Sequence, residues 1–108
     1  MITWAGTGAM REIPISIDRQ QVAEFCARHH IQRLALFGSV LGPEFRPDSD
    51  VDVLVEFVPG HTPGFAFFSM QEELSALLGR PVELHTPGFL SRYFRDQVRR
   101  EAEVLYAA

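Results

Sequence analysis

Asp50 and Asp52 flank Val51 at the start of an apolar run, Val51-Asp52-Val53-Leu54-Val55-Glu56-Phe57. In a β-strand, side chains alternate between faces, so residues two apart project the same way. Asp50 and Asp52 then share one face, and Val51, Val53 and Val55 point to the other. Two carboxylates held side by side repel. A hard divalent cation turns that repulsion into a binding site, since Mg²⁺ is commonly held by one or two carboxylates together with substrate phosphates. Eleven positions before Asp50 stands Ser39, which follows Gly38 at the end of a second apolar run, Leu34-Ala35-Leu36-Phe37. Glycine lets the backbone approach a phosphate closely, and a serine hydroxyl and its N–H can donate to it. The combination suits chemistry on a metal-bound phosphate. Taken alone, the acidic pair equally suits a solvated loop that also carries Glu44 and Asp48, because short motifs often match by chance.

Glu83 is a third candidate carboxylate, alternating with Val82 and Leu84 in a third apolar run. By itself it reads as an exposed edge-strand residue. His29, His30, His61 and His85 do not form a metal set by spacing, and Cys26 with His29 supplies only two ligands where a zinc site needs more. Arg92, Tyr93, Arg95, Arg99 and Arg100 read as a solvated helix face, diluted by Asp96, Glu101 and Glu103. Arg99 and Glu103 stand at the spacing of an i, i+4 pair.

Gly38-Ser39, the spacer and Asp50-Val51-Asp52 together resemble the signature of the DNA polymerase β-like nucleotidyltransferase superfamily, in particular its small single-domain members, the minimal nucleotidyltransferases or MNT domains. The likeness extends through Leu36–Leu41, Phe45–Phe57, Pro81–Pro87, Tyr93-Phe94-Arg95 and Glu101–Tyr106, and covers about residues 20 to 106. It implies an α/β (α+β) fold, a small mixed sheet packed with helices. It implies that Asp50, Asp52 and Glu83 are the catalytic carboxylates and ligands of Mg²⁺, with two ions, and that Gly38 and Ser39 bind the nucleotide. The chain departs from the family pattern in having Glu83 where Asp is most common. It also has Gly42 where many relatives carry Arg, which leaves Arg46 as the nearest local cation for the phosphates. The resemblance further implies transfer of AMP from ATP to an acceptor hydroxyl. MNT proteins are commonly paired with a HEPN-domain ribonuclease toxin and act as its antitoxin, some by adding AMP to a toxin tyrosine. The alternative is a non-catalytic toxin-binding or nucleotide-binding module with a degraded site.

The elements that must position these residues follow from periodicity. Residues 1–12 show no period and are expected to form a flexible tail, with Met10 an alternative start. Residues 13–108 are expected to form a single domain, a size that fits one hydrophobic core. Asp18 caps a first helix, with Gln21 in the capping-box position and Val22, Phe25, Cys26 and His29 on one face. A strand over 33–37 ends at Gly38, and a brief helix from Ser39 is stopped by Gly42-Pro43. A loop over 44–50 leads to a strand over 51–57 and a turn over 58–64. A helix over 65–79 buries Phe67, Met70, Leu74 and Leu77 and is capped by Gly79. A strand over 81–85 follows. Thr86-Pro87 has the order that starts a helix, and Leu90, Phe94, Val98, Ala102 and Leu105 repeat at helical spacing to the end of the chain. The expected order is α-β-α-β-α-β-α.

The composition is ordinary for a globular protein, 46% hydrophobic with nine Phe, and excludes wholesale disorder. A net charge of −4 lacks the basic footprint of a nucleic-acid binder. Cys26 is the single cysteine, so no intrachain disulfide forms. With no secretory signal and no apolar run of about 18 residues, a cytoplasmic protein is expected. Homo-oligomerisation is left open.

Overall fold

The computed structural model describes residues 15–108. The expected tail over residues 1–12 and the expected domain start at residue 13 lie outside the described residues. The described chain runs α1 (Arg19–Arg28), β1 (Ile31–Phe37), a 3₁₀ turn (Gly38–Leu41), β2 (Val51–Phe57), α2 (Ala66–Leu78), β3 (Val82–His85), a second 3₁₀ turn (Pro87–Phe89), α3 (Arg92–Glu101) and β4 (Glu103–Ala107).

Asp18 caps α1 as expected. Its Oδ1 accepts from the N–H groups of Gln20 at 3.1 Å and Gln21 at 3.2 Å, which satisfies two donors that lack an intrahelical partner. Gly79 ends α2 in the left-handed conformation, with φ +71°, where a residue with a Cβ would be strained.

The four strands form one mixed sheet in the order β3-β2-β1-β4. β1 pairs antiparallel with both β2 and β4, and β2 pairs parallel with β3. A parallel neighbour needs a crossover connection, and α2 supplies it. Strand alternation then divides the core. Leu34 and Leu36, Val51, Val53 and Val55, and Val82 and Leu84 pack on one face against Val22, Phe25 and Cys26 of α1 and Met70, Leu74 and Leu78 of α2. Phe37 and Leu54 face the other way and cluster with Leu90 and Val98, so α3 covers the opposite face. Burial pushes the Cys26 thiol up to about 12. Across the helical layer, Arg28 and His29 of the first helical segment both meet Glu73 of α2. The hydrogen bond from Arg28 leads the effects that hold the Glu73 carboxyl below its usual range.

The C-terminal segment corrects the expectation drawn from helical spacing. α3 stops at Glu101, Ala102 turns to extended geometry with φ −65° and ψ 146°, and Glu103–Ala107 form a strand rather than a last helical turn. Val104, Leu105 and Tyr106 are β-branched, buried and aromatic side chains that suit a sheet, and β4 covers what would otherwise be the exposed edge of β1. Thr86-Pro87 opens only a 3₁₀ turn; α3 is capped afresh by Ser91, whose Oγ accepts from the Phe94 N–H at 3.2 Å. Arg99 does not pair with Glu103, which lies in β4, but with Glu56 of β2 at 3.3 Å.

Candidate active site

Asp52 sits at the second position of β2, opposite Phe37 of β1 and opposite Glu83 of β3 in the strand register. Its backbone neighbours Val51 and Val53 are buried in the α1/α2 layer, so alternation turns Asp52 toward the α3 side, as it does Glu83 and His85 on either side of buried Leu84. The face shared by Asp52, Glu83 and His85 is the consequence of the apolar positions Val51, Val53 and Val55 of β2 and Val82 and Leu84 of β3 having to face the other way.

His85 closes the group. Its Nε2 lies 3.3 Å from Asp52 Oδ1 and 3.3 Å from Glu83 Oε1. One ligand atom from each of the three side chains lies within 4.8 Å of the others, a spacing that can hold a metal ion. The side chains stay open to solvent, at 29% for Asp52, 56% for Glu83 and 24% for His85, so an ion or a phosphate can reach them. The His85 ring is steadied by an edge-on contact with Phe37, with centroids 5.2 Å apart.

Gly38 is the point of closest backbone approach. It leaves β1 with φ +81°, and a Cβ built there would stand 2.5 Å from Asp52 Oδ2. Any other residue would meet both backbone strain and the carboxylate. Ser39 follows in the 3₁₀ turn, partly exposed, and its carbonyl accepts from the Gly42 N–H at 2.9 Å. The turn is four residues long, too short to develop the dipole of a regular helix. Beside it opens a cleft of about 440 Å³ lined by Phe37, Gly38, Leu41 and Gly42 on one side and by Phe94, Gln97, Val98 and Glu101 of α3 on the other. That volume falls in the range of small-ligand sites.

The remaining expected residues lie less tightly. Asp50 is exposed, immediately before β2, and outside the Asp52–Glu83–His85 group. Arg46 is exposed in the preceding loop, where its N–H donates to Ser49 Oγ at 3.0 Å and its carbonyl accepts from the Ser49 N–H at 3.0 Å. Among the described residues, no ion pair joins its guanidinium to the acidic residues. Gly42 lines the cleft, and a Cβ there would stand 2.9 Å from Glu44 Oε1. Of the four histidines, whose spacing gives no metal set, His85 is the one brought beside Asp52 and Glu83. The signal was present, since Glu83 and His85 are two apart on a strand, the same relation that pairs Asp50 with Asp52. The cleft wall from α3 had no comparable signal.

Residues 19–105 match the family described as the nucleotidyltransferase domain. The chain belongs to this family. It is a nucleotidyltransferase of α+β fold with a four-stranded mixed sheet. The protein adenylyltransferase MntA of Thermococcus cleftensis is 35% identical over 80 residues, 72% of this chain and 78% of that one. A solved structure described as a minimal nucleotidyltransferase superposes with a TM-score of 0.66 at 40% identity, over 78% of this chain and 85% of that one. A complex of a tri-AMPylated Shewanella oneidensis HEPN toxin with an MNT antitoxin contains a chain of the same fold, with a TM-score of 0.60 at 20% identity over 83% of this chain and 70% of that one. Among the described residues of this nucleotidyltransferase, no helix is long and apolar enough to cross a membrane.

Proposed function

We propose that this nucleotidyltransferase transfers AMP from ATP to a hydroxyl of a partner protein, a tyrosine of a HEPN-domain toxin, and acts as its antitoxin in the cytoplasm. The observation that carries this reading is the convergence of Asp52, Glu83 and Gly38 beside an open cleft. The naming of a relative as a protein adenylyltransferase and the AMPylated toxin beside an MNT chain of the same fold support the acceptor class.

In this reading the cleft between the Gly38–Leu41 turn and α3 takes the nucleotide, and Gly38-Ser39 lies against the triphosphate. Asp50, Asp52 and Glu83 are the catalytic carboxylates and would hold Mg²⁺, two ions in the full site. The metal supplies charge neutralisation at the attacking and leaving oxygens of an in-line displacement. Asp50, exposed immediately before β2, would join Asp52 in holding the cation. Glu83, whose side chain is 56% exposed, accepts the proton of the incoming hydroxyl in this reading. The hydroxyl oxygen forms a bond to the α-phosphorus, the α–β bridging bond breaks, and pyrophosphate leaves. Arg46 is the local cation for the departing phosphates.

The acceptor's approach has its own support. A second cavity of about 580 Å³ runs from His85 and Thr86 to Phe65 and Phe68, and those two phenylalanines are 93% and 66% exposed. Exposed apolar surface of this kind is what a protein partner covers. The test is incubation of the HEPN toxin with MgATP and either wild-type protein or the Asp50→Asn, Asp52→Asn double variant, followed by toxin mass and ribonuclease activity. Adenylate additions that track inhibition and vanish in the variant are expected. Equal inhibition by both proteins with unchanged toxin mass would leave a contact-only antitoxin.

A further inference from the structure

We propose that Arg80 is a positioning residue for Asp50: from the corner between α2 and β3 it anchors the spacer loop that presents this carboxylate to the metal. The inference rests on the reading that Asp50 is a metal ligand. Asp52 needs no such anchor. It lies within the sheet, paired with Phe37 of β1 on one side and Glu83 of β3 on the other. Asp50 stands outside the ladder, which begins at Val51 opposite Val82. A carboxylate on a free loop occupies the ligand position only part of the time, and the apparent affinity for the cation falls by that fraction. A ligand at this place in the chain therefore calls for a tether from outside the sheet.

Arg80 and Pro81 hold the chain on both sides of Asp50. Ahead of it, Arg80 Nη1 donates to the Pro47 carbonyl at 2.9 Å. Behind it, the Pro81 carbonyl accepts from the Val51 N–H at 2.9 Å. Residues 46–49 form a turn, in which the Arg46 carbonyl accepts from the Ser49 N–H at 3.0 Å and Ser49 Oγ accepts from the Arg46 N–H at 3.0 Å. A four-residue turn closes through the carbonyl of its first residue and leaves that of its second for an outside donor; Arg80 is that donor. The guanidinium also lies over the Phe45 ring, 4.9 Å from its centroid, within the range of cation–π attraction, and Phe45 packs against the main core. Arg80 itself starts from a fixed point. Gly79 ends α2 with φ +71°, and the N–H groups of Gly79 and Arg80 both donate to the Ser75 carbonyl. A planar guanidinium can stack and hydrogen-bond at once, which a lysine ammonium cannot reproduce. The grip thus runs from the core and the end of α2, through Arg80, to the turn that leads into Asp50.

MgATP is titrated calorimetrically, with no toxin present and into the millimolar range, against wild type, Arg80→Met, Asp50→Asn and the protein carrying both substitutions. Methionine keeps an unbranched apolar stem beside Phe45 and removes the donor. MgATP affinity should fall about tenfold in Arg80→Met, the penalty when the competent loop is populated about a tenth of the time. Added to Asp50→Asn, the same substitution should change affinity less than about twofold, because a residue that acts through Asp50 has nothing to position once that carboxylate is gone. Arg80→Lys, which restores a cationic donor without the planar stack, should recover part of the loss. Unchanged affinity in Arg80→Met would overturn the role assigned to Arg80. So would an equal loss in both backgrounds, the pattern of a general weakening of the fold, which thermal unfolding of the four proteins would register independently. Unchanged MgATP affinity in Asp50→Asn would instead refute the reading of Asp50 as a metal ligand, and the role of Arg80 with it.

Discussion

Replacing Gly38 with Ala perturbs the site by an amount the coordinates define. The new Cβ would stand 2.5 Å from Asp52 Oδ2 and 3.4 Å from Asp52 Cβ and Cγ. Relief requires the carboxylate to retreat by about 1 Å, to ordinary van der Waals separation. Displacements of that size at a reacting centre cost on the order of 10²-fold in rate. The backbone adds its own cost, since φ is +81° at Gly38 and a Cβ in left-handed geometry is unfavourable by about 1–2 kcal/mol. Gly60→Ala separates the two effects, because φ there is +87° but nothing lies within 4 Å of the added Cβ. Urea unfolding should show a loss of about 1–2 kcal/mol in both variants. AMP transfer to the toxin should fall about 10²-fold in Gly38→Ala and stay near wild type in Gly60→Ala. Wild-type transfer by Gly38→Ala, with the stability loss of Gly60→Ala, would refute the idea that the close approach of Gly38 to Asp52 serves the chemistry.

Mg²⁺ and ATP together should raise the unfolding temperature more than either alone, with about 2.7 kcal/mol of stabilisation at 100 times the dissociation constant; a thermal-shift series with each, both and neither checks this. Glu73→Gln should lower stability at neutral pH. The Glu73 carboxyl is held below its usual range in the folded protein, so its contribution is present above the ordinary Glu value of about 4.3 and is lost as pH falls through the depressed folded value. The difference between variant and wild type should therefore fade on acidification in a pH series of urea melts. Cys26, buried and with its thiol pushed up to about 12, should resist thiol reagents at pH 8 in the native protein and react once urea unfolds it; rapid labelling without urea would contradict its burial.

The parts of the fold legible in the sequence are those whose cause is local. β2 spans Val51–Phe57, the same bounds that alternation and the flanking turn residues give. Asp18 and Gly79 cap α1 and α2 through interactions within a few residues of themselves. The C-terminus was misread because its cause is distant. Val98, Ala102 and Leu105 fit a helical period, but Leu105 is buried from a strand that lines β1, and only the assembled sheet reveals that β1 needs a partner there. At the site, the face of Asp52 followed from its neighbours. The placement of His85 leaves no mark in the spacing of the histidines to one another, because the groups it meets are a carboxylate two residues away and another on the adjacent strand. The cleft wall contributed by Gln97 and Glu101 arises from packing of α3 across Leu54 and Phe37, a tertiary relation with no trace in spacing.

The most direct test of nucleotidyl transfer from this site follows the fate of phosphorus. Wild-type protein and Asp52→Asn are each incubated with the toxin, Mg²⁺ and ATP labelled at either the α- or the γ-phosphate, and label in the toxin is counted beside released pyrophosphate. Label from the α-position alone, matched one for one by pyrophosphate and abolished by Asp52→Asn, is the expected outcome. Label from the γ-position, or α-label that persists undiminished without the Asp52 carboxylate, would contradict it.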